Sequence, residues 1–567
     1  MLNYFKNSRL GLLDFIPFLG IILVHFSGIN VDVMGVDAPQ YAAMSREMIE
    51  KGNYLEITDR YKDYLDKPPF LFWITSLSFQ IFGFSNFAYK LPSLLFCLLG
   101  VYATYRITLL FYNRFSARIA ALFIASTQAY FLMTNDVRTD TILTGAIMFS
   151  IWQLLEFTKH EKWLNLTLGF VGIAIAMLTK GPLGLVSPAL ALGTHFVLKR
   201  EIKWFFKWQW LIGLLIVGIL LSPMLYGLYQ QFDLHPEKLI NHKTGNSGIK
   251  FYFWEQSFGR LTGDNTQWRD GNAGTLEHKL FFVHTLLWMF LPWTFFGIIS
   301  FIKSIFRIVR ERFHPNALPE YLSIGGFIFP FIAMSISQYK LPHYIYVVLP
   351  FLAISAGRFV AELFERNNFK AINQWIYIQL FISALLWFAN FVIIIYLFPL
   401  KSVLFWVGLI ILFVLTILYA LRRIEPFTRL IVPALISILA VNLTINLQYF
   451  KEIMVYQCYN QAGRKVVSLN LAHNQFYQLN DGAHSLDFYS LRVVPSVENW
   501  DDIKERAPKS DIYFFTDDAG LKSLNEMNLN PIIDESYKFF PISVMEISFL
   551  NPKTRESTLQ NRYLVKI

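Results

Sequence analysis

Long apolar runs alternate with short polar and charged segments along this chain of 567 residues. Many of the runs approach the roughly 20 residues that a helix needs to cross the hydrocarbon core of a bilayer. Helices are expected in such runs because a lipid-facing backbone must satisfy its own hydrogen bonds. The pattern therefore predicts a mainly α-helical protein, built as a polytopic bundle of transmembrane helices.

The charges between the apolar runs predict how the chain is threaded. The loops at residues 199–207, KREIKWFFK, and 303–313, KSIFRIVRERF, are strongly basic, and basic loops stay on the cytoplasmic side. The basic loops all fall on that side only if the aromatic run at residues 68–84 lies along the outer interface without crossing. This threading predicts about 13 spans, one of them over residues 279–302, with the amino terminus inside.

The character of the sequence changes after about residue 450. Long apolar runs give way to short segments that resemble strands between polar turns. These segments are KVVSLNL at 465–471, DIYFF at 511–515 and FFPISVMEISFL at 539–550. We therefore expect a transmembrane domain over residues 1–450 and a small soluble α/β domain over residues 451–567, on the outer face of the membrane.

The composition narrows the classes of function. A net charge of +10 is explained by basic cytoplasmic loops without invoking nucleic acid. Two cysteines, Cys97 and Cys458, predict neither a disulfide framework nor a metal cluster. No metal or other cofactor is predicted, and a divalent ion is left open, because metal-ligand spacing is missing from the outer-loop histidines, which are His235, His242, His278 and His343.

Ionisable residues gather at the outer ends of the predicted spans. Charges close to hydrocarbon are costly, so they often mark functional sites. Several cations beside a few acids suit a phosphate held at the bilayer surface, and the acids suit base chemistry on a second substrate. Segments far apart in sequence supply these residues, which are Asp37, Arg46, Asp66, Lys67, Asp136, Arg138, Asp140, Lys180, Arg260 and Lys340.

Five motifs in fixed order carry a resemblance to a known family. VDAPQYAAMSREM, YLDKPPFLFW, RTD, LTKGP and QYKLPHYIYVVLPFLA resemble those of the membrane glycosyltransferases of the aminoarabinose transferase and protein O-mannosyltransferase superfamily. The resemblance covers residues 10 to about 360 and extends to the carboxy-terminal domain. It implies the GT-C fold and the transfer of a sugar from a polyprenyl phosphate carrier, such as undecaprenyl phosphate, to a lipid A, glycan or protein acceptor.

The resemblance also implies roles for individual residues. Asp37 corresponds to the catalytic base and Asp140 to a second catalytic acid residue. Asp66, Arg46 and Arg138 are expected to support them. The carrier phosphate is assigned to Lys67, Arg260, Lys180, Lys340 and Tyr344. Ala38 and Gln40 stand where the aminoarabinose transferases carry a glutamate and an arginine, so the sequence does not predict aminoarabinose as the sugar.

The sequence predicts an inverting transferase in the bacterial inner membrane, with its active site on the periplasmic face. Simpler interpretations of single residues stay open. Tyr344 suits an interfacial aromatic position, Asp136 and Arg138 suit a pair that shapes a turn, and the charges suit solvated loops. A lipid-linked sugar transporter or flippase is the alternative function, although alternating access calls for a site near the membrane midplane.

Overall fold

The computed structural model describes residues 12–240, 244–259, 275–421, 424–498, 500–506 and 511–567, and within these ranges the chain is mainly helical. In the first half the helices are α1 Leu12–Ser27, α2 Asp37–Lys51, α3 Phe70–Phe82, α4 Asn86–Phe111, α5 Arg114–Ala125, α6 Gln128–Asn135, α7 Thr139–His160, α8 Trp163–Lys180, α9 Leu183–Leu198, α10 Gln209–Leu228 and α11 Gly248–Lys250. They are followed by α12 Leu276–Met289, α13 Thr294–Arg310, α14 Leu322–Ile336, α15 Leu349–Glu365, α16 Phe369–Phe391, α17 Val403–Leu421 and α18 Pro426–Thr444. Short 3₁₀ segments lie at Ile202–Phe206 and Pro342–Val348, and π-helical turns at Tyr229–Asp233, Phe251–Gly259, Val392–Leu397 and Ile445–Tyr449.

Eight of the described helices are long and apolar enough to cross a membrane, so the chain is a multi-pass membrane protein. Helices α5 and α6 form a further candidate span that is bent by 52° at its break. Four shorter apolar helices, Ile16–Ser27, α3, α9 and α14, are also present among the described residues. The bend follows from the capping chemistry, because the hydroxyl of Thr127 accepts a hydrogen bond from the backbone N–H of Tyr130 and starts α6 as a new helix.

The span predicted over residues 279–302 is wrong as a single helix. Helix α12 ends at Met289 and α13 begins at Thr294. Pro292 has no backbone N–H to continue the helical hydrogen bonds. The break is buried, because Trp293 stacks on Phe123 with ring centroids 4.2 Å apart and donates to the hydroxyl of Ser126 over 2.9 Å.

Helix α3 covers the aromatic run that was expected at the interface. Its 13 residues span about 20 Å, which is shorter than the hydrocarbon core. Pro68 and Pro69 precede it and determine where it begins. Helix α3 packs on α2 through a 2.7 Å hydrogen bond from the Ser76 hydroxyl to the carbonyl of Ser45. Helix α2 ends at Gly52, whose φ of 63° is typical of a glycine that closes a helix.

The carboxy-terminal segment contains a four-stranded sheet. Its strands and those of a small hairpin are β1 Thr58–Asp59, β2 Lys62–Asp63, β3 Phe476–Leu479, β4 Tyr513–Asp517, β5 Ile532–Phe539 and β6 Gln560–Lys566. The sheet order is β3-β4-β6-β5, and only the β3/β4 pair is parallel. The helices around it are α19 Phe450–Ile453, α20 Cys458–Ser468, α21 His484–Tyr489, α22 Trp500–Arg506, α23 Asp518–Glu526 and α24 Ile547–Leu550.

Two of the three predicted carboxy-terminal strands are wrong. Residues 465–468 close the helix α20, whose buried residues Cys458, Ala462 and Val466 recur at helical spacing. The run at 539–550 begins at the end of β5 and continues into α24. The third prediction overlaps a real strand, because β4 covers Tyr513–Asp517.

The carboxy-terminal segment docks on the loops that follow α1 and α2. The hydroxyl of Tyr489 accepts from the backbone N–H of Val33 and donates to Asn86, each over 2.8 Å. Arg464 pairs with Asp32, and His484 lies 2.9 Å from Asp59. These contacts hold the segment on the side of the bundle where α2 begins.

Candidate active site

The helix ends on that side surround a polar cavity of about 70 Å³. Asp37 begins α2, and Asp66 and Lys67 lie just before α3. Arg138 and Asp140 lie at the start of α7, Lys180 ends α8, and His343 and Tyr344 lie in the 3₁₀ segment before α15. Of the predicted site residues, the cavity is lined by Asp37, Asp66, Lys67, Arg138, Asp140, Lys180 and Tyr344.

Arg138 links two acids at the cavity rim. Its guanidinium pairs with the carboxylate of Asp37 and donates to Asp136 over 2.8 Å. Burial opposes the charge of Arg138, but the carboxylates of Asp136 and Asp37 outweigh it and raise the pKa of the guanidinium. Burial raises the pKa of Asp136 above its ordinary value. The Asp136–Arg138 pair expected from sequence is therefore present, and it also orients Asp37.

Lys180 and Asp140 form the most enclosed pair of the cavity. The ammonium of Lys180 donates to Asp140 Oδ1 over 2.5 Å and lies 4.0 Å from the centre of the Tyr344 ring. His343 Nε2 is 3.7 Å from Asp140 Oδ2. Both side chains of the pair are largely buried, so Asp140 positions Lys180 and offsets its desolvation.

Lys67 also lines the cavity. Its ammonium pairs with the neighbouring carboxylate of Asp66. Gln256 donates to the Asp66 carbonyl over 2.6 Å and so holds this turn against the π-helical segment. Burial raises the pKa of Tyr64, beside Asp66, well above its ordinary value, so the phenol stays protonated. Lys67 is therefore held at the cavity on a braced turn.

An apolar cavity of about 190 Å³ adjoins the polar one. The two cavities share Lys67, Asp140, Lys180 and Tyr344 in their linings. Helices α9 and α14 and the 3₁₀ segment before α15 supply most of the apolar wall, through Leu183, Val186, Ala333, Met334 and Val347. A ligand with a charged head and a hydrocarbon tail would thus meet cations at one end and apolar side chains at the other.

Two of the described site residues that the sequence predicts, Lys340 and Arg46, line neither cavity. Lys340 is only 7% exposed, and its ammonium donates to the carbonyls of His278 and Ser335 over 2.7 Å each. Arg46 is 1% exposed and bonds the Asp487 carbonyl, so it fastens α2 to α21. Both are corrections, because tertiary packing uses these cations to tie segments together. Arg260 lies outside the described residues.

The polar cavity is also lined by side chains that the sequence did not predict there. His343, one of the histidines for which the sequence predicts no metal role, lines the polar cavity beside Asp140. Tyr41 and Thr139 line it as well. Their neighbours in sequence gave a signal, since Tyr41 is one helical turn after Asp37 and Thr139 lies between Arg138 and Asp140. Among the described residues, no three His, Cys, Asp or Glu side chains gather closely enough to hold a metal ion.

The chain is similar in sequence to several known proteins. Residues 66–226 match the family model described as dolichyl-phosphate-mannose-protein mannosyltransferase. The undecaprenyl phosphate-alpha-4-amino-4-deoxy-L-arabinose arabinosyl transferase 2 of Proteus mirabilis is 26% identical over 361 residues, which cover 61% of this chain and 59% of that protein. An uncharacterized protein of Aquifex aeolicus is 24% identical over 80% of this chain and 82% of its own length.

A solved structure shares the fold over nearly the whole chain. The crystal structure of ArnT from Cupriavidus metallidurans bound to undecaprenyl phosphate has a TM-score of 0.71, 17% identity and 97% coverage of both chains. The chain therefore shares the GT-C fold of that structure. It spans 59% and 62% of the length of two arabinosyl transferases that it matches.

Proposed function

We propose that this protein is an integral membrane glycosyltransferase. It transfers a sugar from a polyprenyl phosphate carrier to a lipid A, glycan or protein acceptor on the outer side of the bacterial inner membrane. One observation carries the proposal: a polar cavity with acid and cation pairs shares Lys67, Asp140, Lys180 and Tyr344 with an apolar cavity. A polyprenyl phosphate has the matching two-part chemistry.

The carrier phosphate is assigned to Lys67 and Lys180. Both ammonium groups lie on the wall shared by the two cavities, and both are already positioned by carboxylates. An arriving phosphate adds negative charge to a lining in which the cations are balanced by acids. The two lysines therefore share their donors between carboxylate and phosphate, since an ammonium has three N–H donors. The isoprenoid tail follows the apolar wall toward α9 and α14.

The catalytic base is assigned to Asp37. Its carboxylate lines the polar cavity and is 39% exposed, so an acceptor hydroxyl can reach it from the outer side. Arg138 holds the carboxylate in place. In the reaction, the acceptor oxygen bonds to the anomeric carbon while its proton passes to Asp37. Asp140, bound to Lys180, takes a positioning role in this assignment.

The bond between the anomeric carbon and the phosphate oxygen breaks as the new bond forms. The departing polyprenyl phosphate is already an anion, so it needs no general acid. Lys67 and Lys180 stabilise the charge that develops on it. Attack from the face opposite the phosphate inverts the configuration at the anomeric carbon.

We also propose about 13 spans and an outer-face carboxy-terminal domain over residues 451–567. The long helices, the bent α5–α6 pair, the broken α12–α13 pair and the short apolar helices other than α3 support that number. The docking contacts of Tyr489, Arg464 and His484 support the domain's position, because they reach loops next to Asp37.

The test is a transfer assay with the purified full chain. The protein is incubated with a panel of polyprenyl phosphate sugars and with lipid A, glycan and peptide acceptors, and the products are weighed by mass spectrometry. Transfer of a sugar to one acceptor class, with release of polyprenyl phosphate, is expected. Movement of the lipid-linked sugar across vesicle membranes without any transfer would favour the transporter alternative and overturn the proposal.

A further inference from the structure

A third cavity, larger than the polar and the apolar cavity, lies at the other end of the helix bundle. Its volume is about 540 Å³. We call it the inner vestibule and define it by Lys199, Ser300, Lys303, Arg307, Ser355 and Arg358, which line it. None of the residues around the polar and apolar cavities described above is among its lining residues. It is therefore a separate cavity.

Two helices show that the inner vestibule faces the opposite side of the membrane. Helix α4 begins at Asn86, which contacts Tyr489 and Asp32 on the active-site side, and it ends beside Tyr112, which lines the inner vestibule. Its 26 residues span about 39 Å, enough to cross a bilayer. The segment from Tyr344, which lines the polar cavity, to Glu362, which lines the inner vestibule, also runs from the active-site side to the other side and covers about 27 Å.

Two helix faces form the walls of the inner vestibule. Helix α13 contributes Ser300, Lys303, Ser304 and Arg307, which recur at intervals of three and four residues along one face. Helix α15 contributes a face with the same periodicity, and its members are Ser355, Arg358, Phe359, Glu362, Leu363 and Arg366. The two helices pack together over part of their length, and near these ends their facing side chains are polar.

The lining carries more positive than negative charge. Five cationic side chains line it, those of Lys199, Lys303, Arg307, Arg358 and Arg366. Two carboxylates oppose them, those of Glu320 and Glu362. Glu320 is already satisfied, since the hydroxyls of Ser323 and Tyr112 donate to it over 2.6 and 3.2 Å. Glu362 accepts from Arg366 over 2.6 Å.

Lys303 is the cation with the least local compensation. Its ammonium lies 4.5 Å from the centre of the Phe359 ring. No carboxylate pairs with it within the described ranges of the chain. Arg307, one turn later, pairs with the half-exposed Glu311 over 3.0 Å. An anion between these two side chains would replace solvent around Lys303 and share the guanidinium of Arg307.

The inner vestibule borders a lipid-facing surface. The adjoining face of α13 exposes Ile302, Phe306 and Val309, a pattern typical of a helix that contacts hydrocarbon. Phe369, next to the lining residue Asn368, is also exposed. Polar cations beside an apolar belt suit a ligand whose phosphate lies at the membrane surface and whose chains stay in the bilayer.

We propose that the inner vestibule binds the phosphate of an anionic phospholipid from the leaflet opposite the active site. Lys303 and Arg307 contact the phosphate, and the acyl chains lie along the apolar face beside Phe306. This site lies outside the transfer reaction, and it does not depend on which sugar or acceptor the protein uses.

The experiment measures lipid binding to the full-length purified protein by native mass spectrometry. Phosphatidylglycerol, which is anionic, is titrated against phosphatidylcholine, which carries a phosphate but no net charge. The test variant is K303Q/R307Q, and the matched control is K203Q/R310Q. The control removes the same charge, from exposed residues on the same side of the bundle that do not line the inner vestibule. Thermal unfolding of each variant checks that the fold is kept.

We expect the wild type to prefer phosphatidylglycerol and K303Q/R307Q to bind it roughly 10- to 30-fold more weakly. K203Q/R310Q should stay within about twofold of the wild type. Should K303Q/R307Q fail to fold, the single variant K303E serves, because Lys303 is exposed and its replacement places a carboxylate in the inner vestibule.

Two results would overturn the proposal. Equal weakening in the test and control variants would indicate general surface attraction without a defined site. Displacement of phosphatidylglycerol by soluble glycerol phosphate would assign the inner vestibule to a free phosphate compound instead of a lipid. Loss of sugar transfer plays no part in this readout, so a failure here leaves the proposed transferase function to its own assay.

Discussion

The sharpest prediction concerns the carboxylate of Asp37. Replacing it by asparagine keeps the size of the side chain but removes the group assigned to take the acceptor's proton. A positioned base contributes about 10² to 10⁴ in rate, which corresponds to about 2.7 to 5.5 kcal/mol of the activation barrier. We therefore expect D37N to retain at most about one hundredth of the wild-type turnover.

The structure indicates that D37N should leave the rest of the site intact. The ion pair with Arg138 is lost, but the Asp37 carboxylate is 39% exposed, so that loss is worth under about 1 kcal/mol of stability. Arg138 keeps its partner Asp136. Lys67 and Lys180 lie on other segments, so carrier affinity should change by less than about threefold.

The assay compares single-turnover sugar transfer with the binding of polyprenyl phosphate in the same preparations. Glu56→Gln is the matched control, because Glu56 is an exposed acid in the loop after α2 and does not line the polar cavity. It should retain wild-type turnover. Near-normal transfer by D37N would refute the assignment of Asp37 as base. A large loss of carrier affinity in D37N would assign Asp37 to binding instead of catalysis.

Four further variants test the assignments of side chains to carrier binding and to the docking of the carboxy-terminal segment. Lys67→Ala should weaken carrier binding roughly tenfold or more in an equilibrium lipid-binding assay. Lys340→Ala should lower the melting temperature, because the Lys340 ammonium donates to two backbone carbonyls. It should leave the carrier affinity of the folded protein unchanged. Arg46→Met should destabilise the docking of α21 by about 2 kcal/mol, seen as faster hydrogen exchange there; an effect on turnover alone would contradict it. Burial opposes the charge of Asp59, but the hydrogen bond from His484 outweighs it and lowers the pKa of this carboxyl. The contact therefore stabilises docking at neutral pH, and hydrogen exchange in the docked segment should become faster as the pH falls below about 4. D59N should dock more weakly at neutral pH, and its hydrogen exchange should lack this change in acid.

Local sequence signals predicted much of the membrane region. Helix α2 ends at Gly52 because glycine adopts a positive φ without strain. The two prolines before α3 determine its start. The fold class follows from apolar runs whose lengths match a bilayer, since hydropathy is a property of each segment by itself. The prediction that Asp37, Lys67, Asp140 and Lys180 lie on one side of the bundle follows from the same runs, and all four line the polar cavity.

The carboxy-terminal strands could not be predicted from the hydrophobic pattern of single segments. A short apolar run such as residues 465–471 fits either a strand or one face of a helix, and its neighbours decide between them. Here Cys458, Ala462 and Val466 are buried together, so packing selects the helix α20. The same limit explains the break between α12 and α13, where Trp293 is buried among aromatic rings.

The sequence by itself determined that the chain crosses the membrane many times and carries charges near the ends of its helices. Only the tertiary structure decided which of those charges meet. Lys180 turns toward Asp140, whereas Lys340 turns toward two backbone carbonyls, although both lysines lie at helix ends. The physical reason is that the rotation of each helix, and so the direction of each side chain, depends on contacts with segments far away in the chain.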